Sequence, residues 1–210
     1  MEQNKEMTAQ ESLALIAETV NNSRKSIVKR SGKYMLVWGI ALTIVSLLVF
    51  ILWKSTGKEA WNYLWFAMPV IGLVPSYIMK SKETTHLPDN TVSRMLSGIW
   101  RTFGVFAVSI SVFCILYAKF GSSFFTSLAI GVSLSPMILL LFGMAETISG
   151  VAVKNTSIKV AGVITGVGGI ILYYILGNMS EDGIETTLLF TLAGIVLALT
   201  GVILQIQNKE

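Results

Sequence analysis

Six apolar stretches, each of a length suited to crossing a bilayer, constrain this chain more than any other feature. They run over 34–53, 61–79, 99–117, 124–142, 160–176 and 187–204. A membrane-spanning helix needs about 20 predominantly apolar residues. In hydrocarbon every backbone N–H and C=O must be paired within the protein, so such stretches form helices. A transmembrane barrel would alternate in polarity over about ten residues at a time, and these runs do not. Charged residues make up 13% of the chain, about half the soluble norm of roughly 25%, too few to cover a water-facing surface. The expected fold is therefore all-α. It is a polytopic membrane protein with six transmembrane helices arranged as three hairpins, plus an N-terminal amphipathic helix. Residues 1–33 form a basic cytoplasmic segment, 34–204 the membrane domain and 205–210 a cytoplasmic tail.

The basic residues set an orientation. Thirteen of the sixteen Lys and Arg residues fall before the first stretch, in the second and fourth links, or at the C-terminus; the other three are Lys54, Lys58 and Lys119. The positive-inside rule then places both termini in the cytoplasm, as an even number of spans requires. Trp53, Trp61, Tyr63 and Trp65, together with Tyr173 and Tyr174, mark the outer interface, where aromatic rings sit at headgroup level. The first 33 residues contain no early apolar run followed by a small-residue cleavage site, so no removed leader is expected.

The segment before the first span carries its own pattern. Thr8-Ala9-Gln10-Glu11 fits a capping box. Leu13, Ile16, Val20 and Ile27 then recur at helical spacing on one face, with Glu11, Glu18, Asn22, Lys25 and Lys29 on the other. Acids come early and bases late, in keeping with the helix dipole. Arg24, Lys25, Lys29, Arg30 and Lys33 are expected to meet anionic lipid head groups. The helix reads foremost as a topology anchor lying on the membrane, with a docking surface for a partner, or for the rest of the bundle, as the alternative.

The interior is poor in chemistry. Transporters, proton relays and intramembrane hydrolases keep ionisable groups at mid-depth. The middles of the six spans hold hydroxyls, among them Ser46, Thr165, Thr191 and Thr200, but no Asp, Glu, Lys, Arg or His. Glu146 is the partial exception. It follows span four at its inner end, within reach of Arg94, Arg101 or Lys154 as an interfacial ion pair, or as a gate or binding carboxylate. Pro69, Pro75 and Pro136 lack amide donors and are candidate kinks. Glu146, Arg94, Arg101 and Pro136 are thus the candidate gate or binding residues. No catalytic residue, metal ligand or cofactor site is expected: Cys114 lies alone in an apolar run and His86 alone in a polar link, whereas a zinc site needs several such ligands. Nucleic-acid binding is not expected, because the inner rim accounts for the net charge of +4.

Small residues mark helix contacts. Ser127, Gly131 and Ser135 stripe span four, Gly162, Gly166 and Gly169 span five, and Gly194 with Ala198 span six. Packing within the bundle is expected, with homo-oligomerisation through the span-five glycines as the alternative. Gly39 to Gly72, Gly104 to Pro136 and Gly162 to Gly194 are spaced by 32 or 33 residues, which hints at a tandem hairpin repeat.

The run Glu11-Ser12-Leu13-Ala14-Leu15-Ile16, the basic cluster after it and Leu36-Val37-Trp38-Gly39 resemble a group of uncharacterised small bacterial inner-membrane proteins. The likeness covers the first 80 residues. It implies a bacterial plasma membrane and six spans, and no activity. In layout alone the chain is similar to acid-resistance membrane proteins of the HdeD type. The expected function is that of a non-enzymatic membrane protein acting through protein partners as a sensor, assembly factor or accessory subunit. The alternative is a small-solute transporter or channel with a weakly polar pathway.

Overall fold

A computed structural model of the chain describes residues 8–82, 91–120, 134–177 and 184–207. These residues are almost entirely helical, and six helices are long and apolar enough to cross a membrane. His86, Ser127, Gly131 and the first ten residues of the expected fourth span lie outside the described residues, as does the side chain of Cys114.

The first helix, α1 (Ala9–Thr56), is a single element of 48 residues, about 72 Å long at 1.5 Å per residue. Its start is the expected capping box: Thr8 Oγ1 accepts from the Glu11 amide at 3.3 Å, and the Thr8 amide donates to the Glu11 carboxylate at 2.8 Å. It ends at Gly57, whose φ of 67° suits a residue without a Cβ. The amphipathic segment and the first span are therefore one continuous helix.

Span two begins as a 3₁₀ segment, Glu59–Ala67, and becomes α-helical in α2 (Met68–Lys82). The change falls at Pro69, which has no N–H to give to Trp65. Pro75 lies inside α2. The 3₁₀ form runs well beyond the usual three or four residues. It is pinned by Trp61, whose indole N–H donates to Thr56 Oγ1 at 2.7 Å, and by Trp65, edge-on to Phe190 at 5.0 Å.

The third span is α3 (Thr91–Phe120) and the fourth α4 (Leu134–Ala152). The fifth is α5 (Thr156–Val163), a π-helical turn (Ile164–Gly168) and α6 (Gly169–Gly177). A 3₁₀ turn, Ile184–Thr186, leads into α7 (Thr187–Gln207).

The densest packing joins α1 to α7 and α4 to α5. Glycine explains both. A Cβ at Gly39 would strike the backbone amide of Ala198, and one at Gly201 would lie 2.6 Å from the Gly32 carbonyl oxygen. Gly32 and Gly39 on α1, and Gly194 and Gly201 on α7, are each seven residues apart, so the same faces meet again two turns along. Ile27, Val28, Met35, Leu197 and Leu204 close this seam at one end with Val153 and Ile158. The large exposed side chains of the outer surface are mainly apolar, Val105, Phe113, Leu172 and Leu199 among them. Of the three glycines at equivalent positions of the hinted repeat, a Cβ at Gly39 or Gly162 would strike a facing backbone amide, whereas one at Gly104 would meet nothing within 4 Å.

Candidate functional site

The site with unspent chemistry lies where α4 crosses the π-helical turn. Gly143 brings the two backbones together: a Cβ there would strike the Gly166 amide and come within 2.5 Å of the Gly162 carbonyl oxygen. Gly162 in turn packs on the amide and hydroxyl of Thr147. The span-five glycine stripe is thus occupied inside the bundle. The segment Thr165-Gly166-Val167-Gly168-Gly169 is poor in helix formers, which lets the backbone widen from α to π hydrogen bonding. Turns of this kind recur at functional sites.

One turn along α4 from Gly143 stands Glu146. α4 reaches Ala152, ten residues past the expected end of span four, so Glu146 lies inside the helix and not at its margin. Its side chain is 0% exposed, and neither carboxylate oxygen has a hydrogen-bond partner. Thr165, on the π-turn, is also buried, and its hydroxyl is unpaired. The two side chains stand close enough to interact without reaching hydrogen-bond geometry. Thr165 is unusual here. Thr43, Ser46, Ser149 and Thr200 each return their hydroxyl to the carbonyl four residues back, at 2.7–2.8 Å. Of the four buried side-chain polar atoms left unpaired among the described residues, three belong to Glu146 and Thr165.

The expected partners of Glu146 are elsewhere. Arg94, Arg101 and Lys154 are exposed, and none pairs with the carboxylate, because burying Glu146 in the helix crossing removes it from the rim where those long bases reach water. Pro136 does not join the site either. It lies ten residues, nearly three turns, before Glu146 on α4. Trp100, Phe103 and Phe142 form an edge-to-face aromatic cluster, with centroids 5.6–5.8 Å apart, that ties α3 to α4 one turn from Glu146.

No protein-family model, curated protein or solved structure matches this chain.

A second feature connects this region to α1. Arg24 donates from Nε to the Val153 carbonyl and from Nη2 to the Lys154 carbonyl, both at 2.8 Å. It caps the turn that joins α4 to α5, in which Lys154 adopts φ 51° and Asn155 caps α5 through the Ile158 amide at 3.1 Å. Of the five bases expected at lipid head groups, Arg24 is thus committed within the protein, and Arg30 stacks over the Tyr34 ring at 5.7 Å. Lys25, Lys29 and Lys33 remain exposed at four-residue intervals on one face. Beyond Arg24, α1 stands clear of the bundle, with Leu13, Ile16 and Val20 each about 60% exposed or more.

Thr165 and Arg24 are the residues that sequence reasoning grouped with other roles. Thr165 sat among many intramembrane hydroxyls, and Arg24 among many bases. The glycine-rich run after Thr165 was the signal for a backbone irregularity there.

Proposed function

We propose that this is a multi-pass protein of a bacterial plasma membrane, with both termini cytoplasmic, that acts without catalysis through a protein partner held by the first part of α1. The observation that carries the reading is the exposed apolar face of Leu13, Ile16 and Val20 on a helix continuous with span one. An interfacial anchor would need the chain to turn between the amphipathic segment and the span, and α1 has no interruption there. An apolar stripe held away from the bilayer gains most by covering itself with another protein surface, in the manner of amphipathic helices docking into grooves. Lys25, Lys29 and Lys33 meet anionic head groups at the base of this projection. Arg24 links it to the turn beside α4, so a bound partner and the membrane bundle share a mechanical connection. This arrangement suits a sensor or accessory subunit.

Photo-crosslinking in intact cells tests the reading. A photoreactive residue at Leu13 or Ile16 gives one discrete protein adduct, one at Glu18 does not, and Val20→Asp abolishes the adduct. Adducts with lipid alone from Leu13 and Ile16 would overturn the reading and restore the membrane anchor.

The second reading, a small-solute carrier or channel, draws on the unpaired Glu146 carboxylate. Solute flux in liposomes that disappears in Glu146→Gln would favour it over partner docking.

A further inference from the structure

α3 packs through one face. Val92 and Leu96 rest against the buried cluster of Ile27, Met35 and Leu204, and Trp100 and Phe103 meet Phe142 of α4. These residues recur at steps of three or four, as one side of a helix does. The opposite side carries Arg94, Ser97, Gly98 and Arg101 at the same steps, all exposed. Val105, Val108 and Val112 continue the row and are exposed too. In a helix that crosses a bilayer, a row turned away from the bundle faces lipid, where a guanidinium without an anion beside it is strongly unfavourable. α3 contains no Asp or Glu. Among the described residues no carboxylate lies within ion-pair range of Arg94 or Arg101, and Glu146, the acid of the neighbouring helix, is fully buried.

The two arginines stand about 10.5 Å apart along the helix axis, with Gly98 between them. A Cβ at Gly98 would meet nothing within 4 Å, so the row has a notch between two long side chains. Guanidinium pairs with phosphate oxygens as a two-pronged fork, a geometry that lysine lacks. The order along the row is that of an amphiphile: anion-binding groups first, then an apolar strip for a chain. A zwitterionic lipid would bring its own ammonium against two arginines, so a head group of net negative charge fits better. A second copy meeting this face across a two-fold axis would set arginine against arginine.

We propose that Arg94, Ser97, Gly98 and Arg101 form a binding site for the head group of an anionic phospholipid, with its acyl chain lying along Val105 and Val108. The arginines hold the phosphate, Gly98 gives it room, and the valines cover the chain. The site is separate from Lys25, Lys29 and Lys33 on α1, and it stands whether or not a partner docks on that helix.

The test uses the purified full-length protein in phosphatidylcholine vesicles. These contain a minor fraction of phosphatidylglycerol carrying a diazirine at the head-group end of one acyl chain. Adducts, mapped by peptide mass spectrometry, should concentrate on residues 97–108. Excess unlabelled phosphatidylglycerol should suppress them, and excess phosphatidylcholine or inorganic phosphate should not. Arg94→Gln and Arg101→Gln should each reduce the adduct about fivefold, as for loss of one basic residue at an anionic surface. Arg101→Lys, which keeps the charge but not the fork, should lose less. Both arginines are exposed, so these variants keep the fold, and adducts beside Lys25, Lys29 and Lys33 should not change in them. Equal labelling by a phosphatidylcholine probe, an unchanged adduct when Arg94→Gln and Arg101→Gln are combined, or suppression by inorganic phosphate as strong as by lipid would each overturn the proposal.

Discussion

Ser46 on α1 and Thr191 on α7 share a buried hydrogen bond of 2.8 Å. Ser46 also bonds the Leu42 carbonyl at 2.7 Å, so its single proton is committed there and Thr191 is the donor across the seam. Thr191→Val removes that donor at nearly constant shape and should destabilise by about 0.6 kcal/mol, the average for such bonds in membrane bundles. Ser46→Val should cost more, because it leaves the Thr191 hydroxyl without an acceptor and adds bulk. A double-mutant cycle in mixed micelles, read by denaturant unfolding, should return a positive coupling below about 2 kcal/mol.

The glycines of the apolar helices divide sharply by what lies opposite. A Cβ at Gly39 meets the Ala198 amide and lies 2.7 Å from the Gly194 carbonyl oxygen, whereas at Gly104 it meets nothing within 4 Å. Gly39→Ala should therefore destabilise by about 1–3 kcal/mol, the usual result of overpacking. Gly104→Ala should be neutral or stabilising by up to about 1 kcal/mol, through better helix propensity. Unfolding midpoints of the two variants, measured side by side, separate these outcomes.

Arg24 holds the turn after α4 through two carbonyls. Hydrogen bonds from a charged donor contribute about 1.5–3 kcal/mol when buried, and partial exposure at this position reduces the expected loss in Arg24→Ala to about 1 kcal/mol. The local effect should be larger than the global one. Trypsin cleavage after Lys154, in the turn with φ 51°, should accelerate severalfold in Arg24→Ala and less in Arg24→Lys. Unchanged cleavage would show that the turn holds itself.

Glu11 ties the start of α1 to Thr8. Its carboxylate accepts from the Thr8 amide, and this bond, followed by the Thr8 hydroxyl, holds Glu11 below its ordinary value of 4.5. A carboxylate with a depressed folded-state pKa contributes stability above its unfolded value and loses it as pH falls through the folded one. The first turn of α1 should therefore be intact at neutral pH and fray only below about pH 4.5. Backbone carbon chemical shifts of residues 9–12 in micelles should follow this, and Glu11→Gln, whose amide oxygen can still accept from the Thr8 amide, should remove the pH dependence.

The capping box at Thr8 and the amphipathic run after it were legible because they are local: one hydroxyl, one carboxylate and a 3.6-residue period within two turns. The apolar stretches were legible for the same reason. Glu146 was visible as an exception, but its depth was not. In the sequence the apolar run stops at Phe142, because Gly143, Glu146, Thr147 and Ser149 lower its polarity contrast, and helical packing carries α4 on to Ala152. The hydroxyls looked alike on paper. Only the π-turn, which arises from the backbone widening against α4, separates Thr165 from the rest.

Chain order and side-chain polarity by themselves determined that this protein is a set of apolar helices with a capped, amphipathic lead segment, since hydrocarbon length and nearest-neighbour hydrogen bonding act along one dimension. Which helices meet was decided in three dimensions. Gly32 and Gly39 fit against Gly194 and Gly201, and Gly143 fits against Gly162 and Gly166, because two backbones approach closely only where both lack a Cβ at the same height and on facing sides. That coincidence of rotation and register belongs to pairs of helices, and it is what seals Glu146 away from every base that could have neutralised it.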